Sequence, residues 1–351
     1  MSTQSASPGP WRLTLVTNPD DCNLACDMCP CGAARALGSS APVLGSARAL
    51  DLPGPRRMDP ELARAVLRER RGSALREVIP STLGEPLLWP GLDGLLAGCA
   101  AAGLSINVTT NGTFPGRGAA AWGEAILPVS SDLKLSWNGA TAATAEAVMP
   151  GLDFRRAVEA VSQLVAVRDR LACAGLRRST VSFQVTVQEA NAAELPGIVR
   201  LAARLGVDRV KLNQLQPRFP WLSDRALTRS PAALARWNAA AAAARRAAEE
   251  VHRSGAPLVL QNAGPLATDP AAPAPSGPCP FAGREAWLTW DGRFLPCPHP
   301  TADEGALGDF GSTTDRPLGE LWEGEAFRRF LAGVPEGPVC RTCSFRRVGG
   351  A

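Results

Sequence analysis

The sequence predicts an α/β chain: a partial (β/α)6 TIM-like barrel followed by a small α+β, cysteine-rich domain. Three observations carry that prediction. From residue 10 to about 262, short apolar runs alternate with amphipathic helical stretches, the pattern of repeated βα units. No Rossmann glycine fingerprint is present, so six such units point to an open or partial barrel. The ten cysteines are polarised, with four inside residues 22–31 and four in the last 75 residues.

Taken in order, the apolar runs predict strands over 12–17, 77–81, 105–110, 132–137, 180–188 and 209–215. Helical periodicity lies between them, near 58–70, 90–103, 117–126, 152–170 and 192–205. A long Ala/Arg-rich helix is expected over 230–254, since Ser230 suits its cap and Pro231 its first turn. A strand-like run follows at 257–262. Residues 263–278, rich in Pro and Ala and without periodicity, read as a linker. Beyond it, 287–290 and 293–296 flank Asp291-Gly292 as a small hairpin, and a helix is expected over 317–332. The division is therefore 1–262 for the barrel, 263–278 for the linker and 279–351 for the small domain.

Composition narrows the function classes. Of 351 residues, 45% are hydrophobic and 20% charged, which suits a folded, soluble chain rather than a disordered one. No apolar run reaches the roughly 18–20 residues that span a bilayer. The N-terminal MSTQSASPGPWR lacks the charged and apolar regions of a signal peptide, so a cytoplasmic location without a membrane partner is expected. The formal net charge is +4, carried almost wholly by arginine; Lys134 and Lys211 are the only lysines, and tyrosine is absent. The arginines are scattered among Asp and Glu with no basic stripe, so nucleic acid is not an expected partner.

In a cytosolic chain, clustered cysteines point to metal or redox chemistry rather than to disulfides. Cys22, Cys26 and Cys29 form C-x3-C-x2-C directly after the first strand, at the end of a barrel strand where such folds carry their sites. Three thiolates leave one iron of a [4Fe–4S] cube open to another ligand. Cys31 is only two positions beyond Cys29, too tight for an easy fourth zinc ligand. Cys279, Cys297, Cys340 and Cys343 are spaced C-x17-C-x42-C-x2-C, enough to saturate either a second cluster or a structural zinc ion. Cys99 and Cys173 stand alone in Ala/Leu-rich stretches and are expected to be buried and inert.

The segment VTNPDDCNLACDMCP, residues 16–30, resembles the cluster motif of radical S-adenosylmethionine enzymes. In that family the position before the third cysteine, here Met28, packs on the cofactor's adenine. Gly84-Glu85-Pro86 after the second strand resembles the segment that receives the cofactor's amino group. Thr110-Asn111-Gly112 after the third is similar to the family's cofactor-side turn. Ser136-Trp137-Asn138-Gly139 after the fourth resembles an SxDG segment, with Asn138 in place of Asp. The C-terminal cysteines resemble the twitch domain, a shortened relative of SPASM auxiliary-cluster domains.

The resemblance implies S-adenosylmethionine and two [4Fe–4S] clusters as cofactors, and a flavodoxin- or ferredoxin-type reductant. It implies hydrogen abstraction by a 5′-deoxyadenosyl radical. The auxiliary-cysteine spacing is similar to that of aminocyclitol dehydrogenases. The first expectation is therefore oxidation of a secondary alcohol in an aminocyclitol or sugar-derived antibiotic intermediate, with the second cluster accepting an electron. Epimerisation would need a hydrogen-donating thiol in the cavity, and none of Cys31, Cys99 and Cys173 is placed for it. Modification of a ribosomally made peptide is the alternative. Against it, the short stretch before Cys22 leaves no room for a leader-binding domain. Gln184, Lys211, Asn213 and Gln214 at late strand ends are candidate cavity residues. Lys211 and His299, the latter in Cys297-Pro-His299-Pro, are the weak catalytic candidates, whereas His252 should be solvated.

Overall fold

The computed structural model describes residues 9–29, 55–69, 74–80, 83–217, 220–266, 278–299, 302, 305–334, 336–341, 343 and 346. Cys31, Ser81, Thr82, most of the linker and the tail beyond Arg346 lie outside the described residues. The strands are β1 (Arg12–Leu15), β2 (Glu77–Pro80), β3 (Ser105–Thr110), β4 (Ser130–Ser136), β5 (Thr180–Val187), β6 (Arg209–Gln214), β7 (Val259–Gln261), β8 (Glu285–Leu288) and β9 (Phe294–Leu295). The helices are α1 (Pro60–Arg68), α2 (Leu92–Ala101), α3 (Gly118–Ile126), α4 (Ala142–Val148), α5 (Phe154–Cys173), α6 (Leu195–Arg204), α7 (Pro231–Arg253), α8 (Leu318–Trp322), α9 (Glu325–Gly333) and α10 (Pro338–Arg341). Every predicted strand is present within a few residues of its expected bounds. Two compact units result: Met1–Asp21 with Ala41–Ile106 and Ala271–Ala351, and Cys22–Ser40 with Asn107–Pro270, the boundary falling inside β3.

In the first unit, β1 pairs in parallel with β2 on one side and β8 on the other. The sequence set residues from 279 onward apart, but β8 adds directly to β1, satisfying backbone groups that an edge strand would leave open. Arg12, Glu77 and Glu285 lie in register across the three strands. The Arg12 guanidinium therefore bridges both carboxylates, at 2.6 and 2.7 Å. Burial pushes Glu285 up, while Arg12 pulls it back. The expected hairpin forms, β9 pairing antiparallel with β8.

The helix predicted over 317–332 is instead two helices. Gly324 adopts extended backbone between α8 and α9, ending one and capping the next. That break lets Trp322 and Phe327 pack 4.7 Å apart, with Phe327 also 5.1 Å from Phe294.

In the second unit the parallel order is β7-β6-β5-β4-β3. Alternation sends Leu133, Leu135, Val181, Phe183, Val185, Val210 and Leu212 to one face, all buried. Helices α6 and α7 cover β6 and β7 from outside. Ser230 caps α7 as expected, accepting a hydrogen bond from the Ala233 amide at 3.2 Å. Helix α4 was not predicted; its seven Ala/Thr-rich residues carry too few apolar positions to show a period.

Cys99 is buried in α2, as expected. Cys173 is exposed, against expectation; it ends α5 just before the Gly175 turn. His252 is exposed. Among the described residues no helix is long and apolar enough to cross a membrane.

Candidate functional site

The loop holding Cys22, Cys26 and Cys29 is built on a small apolar anchor. Leu24 is buried with Val148 and Met149 at the end of α4, and Cys22, Cys26 and Met28 pack against the same cluster. Backbone bonds fix the path: the Ala25 amide donates to Pro150 at 2.9 Å and the Asp27 amide to Val148 at 3.1 Å. The Cys29 amide donates to Cys26 at 3.1 Å, closing the C-x2-C turn. Cys22 and Cys29 lie near enough to act electrostatically on Cys26. Burial first, then Cys29, Cys22 and Asp27, push the Cys26 thiol well above its ordinary value. Met28 thus sits in the loop's apolar support.

Asp27 is held in a polar clasp. Gln188, fully buried beyond β5, donates to Asp27 at 3.0 Å, and Arg225 pairs with its other oxygen at 2.8 Å. Burial raises the Asp27 carboxyl, and these two partners draw it back. The Gln188 side-chain oxygen is buried without a hydrogen-bond donor among the described residues.

The Thr110-Asn111-Gly112 turn is wired to the same loop. Asn111 donates to the Cys22 sulfur at 3.7 Å and to Asn23 at 2.8 Å, while Asn23 donates to Thr113 at 2.9 Å. Gly112 supplies the left-handed φ of 81° that turns the chain back. Thr110 is buried and accepts from the Gly112 amide.

After β4, Asn138 is 2% exposed and its side chain is engaged inside the unit. Its oxygen accepts from the Thr186 amide at 2.8 Å and its amide donates to the Met149 sulfur at 3.2 Å. An Asp would keep the first bond and lose the second, which gives the Asn a structural reason. Two residues missed from sequence hold this segment. Asn191 donates to the Asn138 carbonyl at 3.1 Å; Glu194 accepts from Thr141 and Thr144 hydroxyls at 2.7 and 2.8 Å and from the Ala140 amide. Nothing local marks Glu194, because its partners lie some fifty residues away. Ser136 is half-buried at the end of β4.

The Gly84-Glu85-Pro86 segment belongs to the first unit. Gly84 has φ +74°, and a Cβ there would lie 2.0 Å from the Asn18 carbonyl oxygen. Glu85 is 1% exposed; its amide donates to Asp21 at 2.6 Å, and its carboxylate accepts from the Leu87 amide at 3.2 Å. Asn18 donates to the Glu85 carbonyl at 2.8 Å. Pro86 is buried behind it.

The four late cysteines also belong to that unit, and their thiols act on one another electrostatically. Cys297 is pushed up to about 12, by burial and by Cys279, Cys343 and Cys340, with the His299 amide pulling it down. Burial, Cys279 and Cys343 likewise raise Cys340, against the opposing charge of Arg346. The Ala282 amide donates to the Cys279 sulfur at 3.3 Å. His299 is half-buried in this loop and contributes its backbone to Cys297. Among the described residues no group of three or more Cys, His, Asp or Glu side chains already stands at metal-binding distance, but three thiols in one set and four in the other are the donor types and numbers that suit iron–sulfur clusters.

Strand alternation places Gln184, Lys211 and Asn213 together on the polar face of the second unit. Gln214 falls on the opposite face with Val210 and Leu212, a correction set by the two-residue period.

Comparison with known proteins agrees with this arrangement. The SPASM family, an iron–sulfur cluster-binding domain, matches residues 279–344, which decides between cluster and zinc for the second set. The chain is 29% identical over 272 residues to the PqqA peptide cyclase of Xanthomonas campestris pv. campestris strain 8004, covering 76% of this chain and 65% of that one. It is 28% identical to the PqqA peptide cyclase of Methylorubrum extorquens strain PA1, covering 75% and 64%. The chain thus spans just under two thirds of the length of these relatives. In fold it is similar to Streptococcus suis SuiB bound to S-adenosylmethionine, with a TM-score of 0.65 at 15% identity over 98% of this chain and 73% of that one. SuiB bound to its precursor peptide SuiA gives a TM-score of 0.64, at 15% identity over 98% and 72%. Residues 279–344 thus match a SPASM iron–sulfur cluster-binding domain, and the α/β fold of the chain is similar to that of SuiB.

Proposed function

We propose that the chain is a radical S-adenosylmethionine enzyme that modifies a peptide. Cys22, Cys26 and Cys29 hold the cluster that works with the cofactor, and Cys279, Cys297, Cys340 and Cys343 hold a second [4Fe–4S] cluster. The observation that carries this reading is the presence of three and four cysteines in two separate sets whose thiols, within each set, push one another up. When bound, the first cluster and S-adenosylmethionine supply a 5′-deoxyadenosyl radical that removes a hydrogen atom from substrate.

The chain's own residues position and shield. Gln188 and Arg225 hold Asp27 and so fix the cluster loop. Asn111 donates toward Cys22, an outer contact of the kind that tunes a bound cluster. Thr110, Asn111, Ser136, Met28 and the Gly84-Glu85-Pro86 segment are the cofactor contacts in this reading. Asn138 acts as a positioning residue, since both ends of its amide are engaged. Lys211 serves substrate binding, and His299 serves the second cluster through its backbone. A flavodoxin- or ferredoxin-type protein supplies the electron.

A peptide substrate is supported by similarity to the PqqA peptide cyclases and by the fold shared with SuiB. Oxidation of an aminocyclitol alcohol, the first expectation from sequence, has no comparable support. The test incubates the reconstituted protein with S-adenosylmethionine, reductant and either short peptides encoded beside its gene or an aminocyclitol panel. A peptide lighter by the mass of two hydrogens supports the reading. A ketone formed from an aminocyclitol, with peptides unchanged, overturns the substrate assignment.

A further inference from the structure

The donor that the Cys22 sulfur receives from Asn111 is part of a closed arrangement. Asn111, Asn23 and Thr113 form a ring of side-chain hydrogen bonds within the second unit. Asn111 Nδ2 donates to Asn23 Oδ1 at 2.8 Å, Asn23 Nδ2 to Thr113 Oγ1 at 2.9 Å, and Thr113 Oγ1 back to Asn111 Oδ1 at 2.6 Å. The Thr113 amide donates to the same Asn111 oxygen at 3.0 Å. These partners leave the Asn111 amide one orientation. Turned over, it would set its oxygen against Asn23 Oδ1 and the Cys22 sulfur, and its NH2 against the Thr113 amide. In the orientation that fits, one hydrogen of Nδ2 serves Asn23 and the other faces Cys22 Sγ, which lies 3.7 Å from the nitrogen. Asn111 is 8% exposed, so water competes little for that hydrogen.

The turn beneath the ring is stiff. Gly112 and Phe114 both adopt left-handed backbone, at φ +81° and +47°, and Phe114 is a buried aromatic of a kind that avoids this region. Such strain persists only where the surroundings over-determine it. Here the Gly118 amide donates to the Phe114 carbonyl at 3.1 Å, and the Trp122 indole N–H donates to the Pro115 carbonyl at 2.8 Å. The ring therefore stands on a fixed backbone and holds a donor on one sulfur of the N-terminal set.

An N–H donor is worth more to a sulfur as that sulfur gains negative charge. A cluster takes up one electron on reduction, so a donor fixed on one of its ligands favours the reduced form and raises the reduction potential. We infer that Asn23, Asn111 and Thr113 are positioning residues that raise the reduction potential of the first cluster, and so widen the range of electron donors that can reduce it. The inference rests on the reading above that Cys22, Cys26 and Cys29 hold a [4Fe–4S] cluster, and it names the residues that tune that cluster.

The test is a dithionite titration of the reconstituted holoprotein without S-adenosylmethionine, followed by electron paramagnetic resonance. The first cluster's signal is the one that later addition of the cofactor alters. Asn111→Leu keeps the volume and removes the donor. It should lower the ratio of reduced to oxidised first cluster at a fixed potential by about tenfold, a fall of about 59 mV in a one-electron couple. Thr113→Val opens the ring while leaving Asn111 in place, and should give a smaller fall. Thr113→Ser restores the hydroxyl and should return the midpoint to that of wild type. The second cluster's midpoint should stay unchanged in all three. If Asn111→Leu does not assemble the first cluster, the two Thr113 variants carry the comparison. A first-cluster midpoint that is the same in Thr113→Val as in wild type overturns the ring, and so does an equal fall in Thr113→Val and Thr113→Ser. Equal shifts in both clusters also overturn it, since they report a general loss of structure. A wild type with no cofactor-sensitive signal overturns the reading on which the inference rests, and the inference with it; a sensitive signal with unmoved midpoints overturns the inference alone.

Discussion

Gly84 and Asn138 show how single residues near the candidate site are constrained by their surroundings. A methyl group on Gly84 would meet the Asn18 and Asp21 carbonyl oxygens at 2.0 and 2.8 Å, in a backbone conformation that L-residues avoid. Gly84→Ala should therefore cost roughly 2 kcal/mol or more, measured by urea unfolding. Asn138→Asp, which restores the residue type expected there by resemblance, removes the bond to Met149 and buries a carboxylate. It should lower stability by roughly 1–3 kcal/mol, and an unchanged unfolding midpoint would refute its role as a strap. The sequence marked the glycine for close approach to a cofactor, but the neighbours it meets here, the Asn18 and Asp21 carbonyls, come from a segment more than sixty residues earlier. The use of the Asn was not readable, since Thr186 and Met149 become its neighbours only on folding.

At the scale of elements, the strands were readable because their two-residue apolar alternation is local. The clasp that Glu194 closes on the start of α4 was not, since it joins segments far apart in the chain. Burial works to raise Glu194, but hydrogen bonds from Thr141, Ala140 and Thr144 outweigh it and hold the carboxyl below its ordinary value. A folded-state value lowered in this way adds stability above the unfolded-chain value and loses it as pH falls through the folded one. Glu194→Gln should thus cost roughly 1–2 kcal/mol at neutral pH, after allowance for partial exposure. The gap to wild type should narrow once pH drops below about 4.5, as followed by thermal melts across pH. A constant gap would mean that geometry, not charge, supports the clasp. The same distance in sequence hid Gln188 and Arg225, which hold Asp27 in the cluster loop.

For the whole molecule, cysteine spacing marked out two sets before any coordinates, three cysteines close together near the start and four spread over the C-terminal region. What spacing did not reveal is that the strands beyond residue 278 extend the sheet of β1, or that the late helix breaks at Gly324 around an aromatic cluster. Nor did it separate peptide from aminocyclitol. The peptide reading proposed above rests on relatives rather than on any local motif. The most direct test of the account is 5′-deoxyadenosine formation after anaerobic reconstitution, with iron counted in wild type and in Cys26→Ala. About eight irons with 5′-deoxyadenosine in the wild type, and about four irons with none in the variant, are the expected result for two cubane clusters of distinct roles. Unchanged iron content and undiminished 5′-deoxyadenosine in Cys26→Ala would contradict the assignment of the N-terminal cysteines as the radical-generating site.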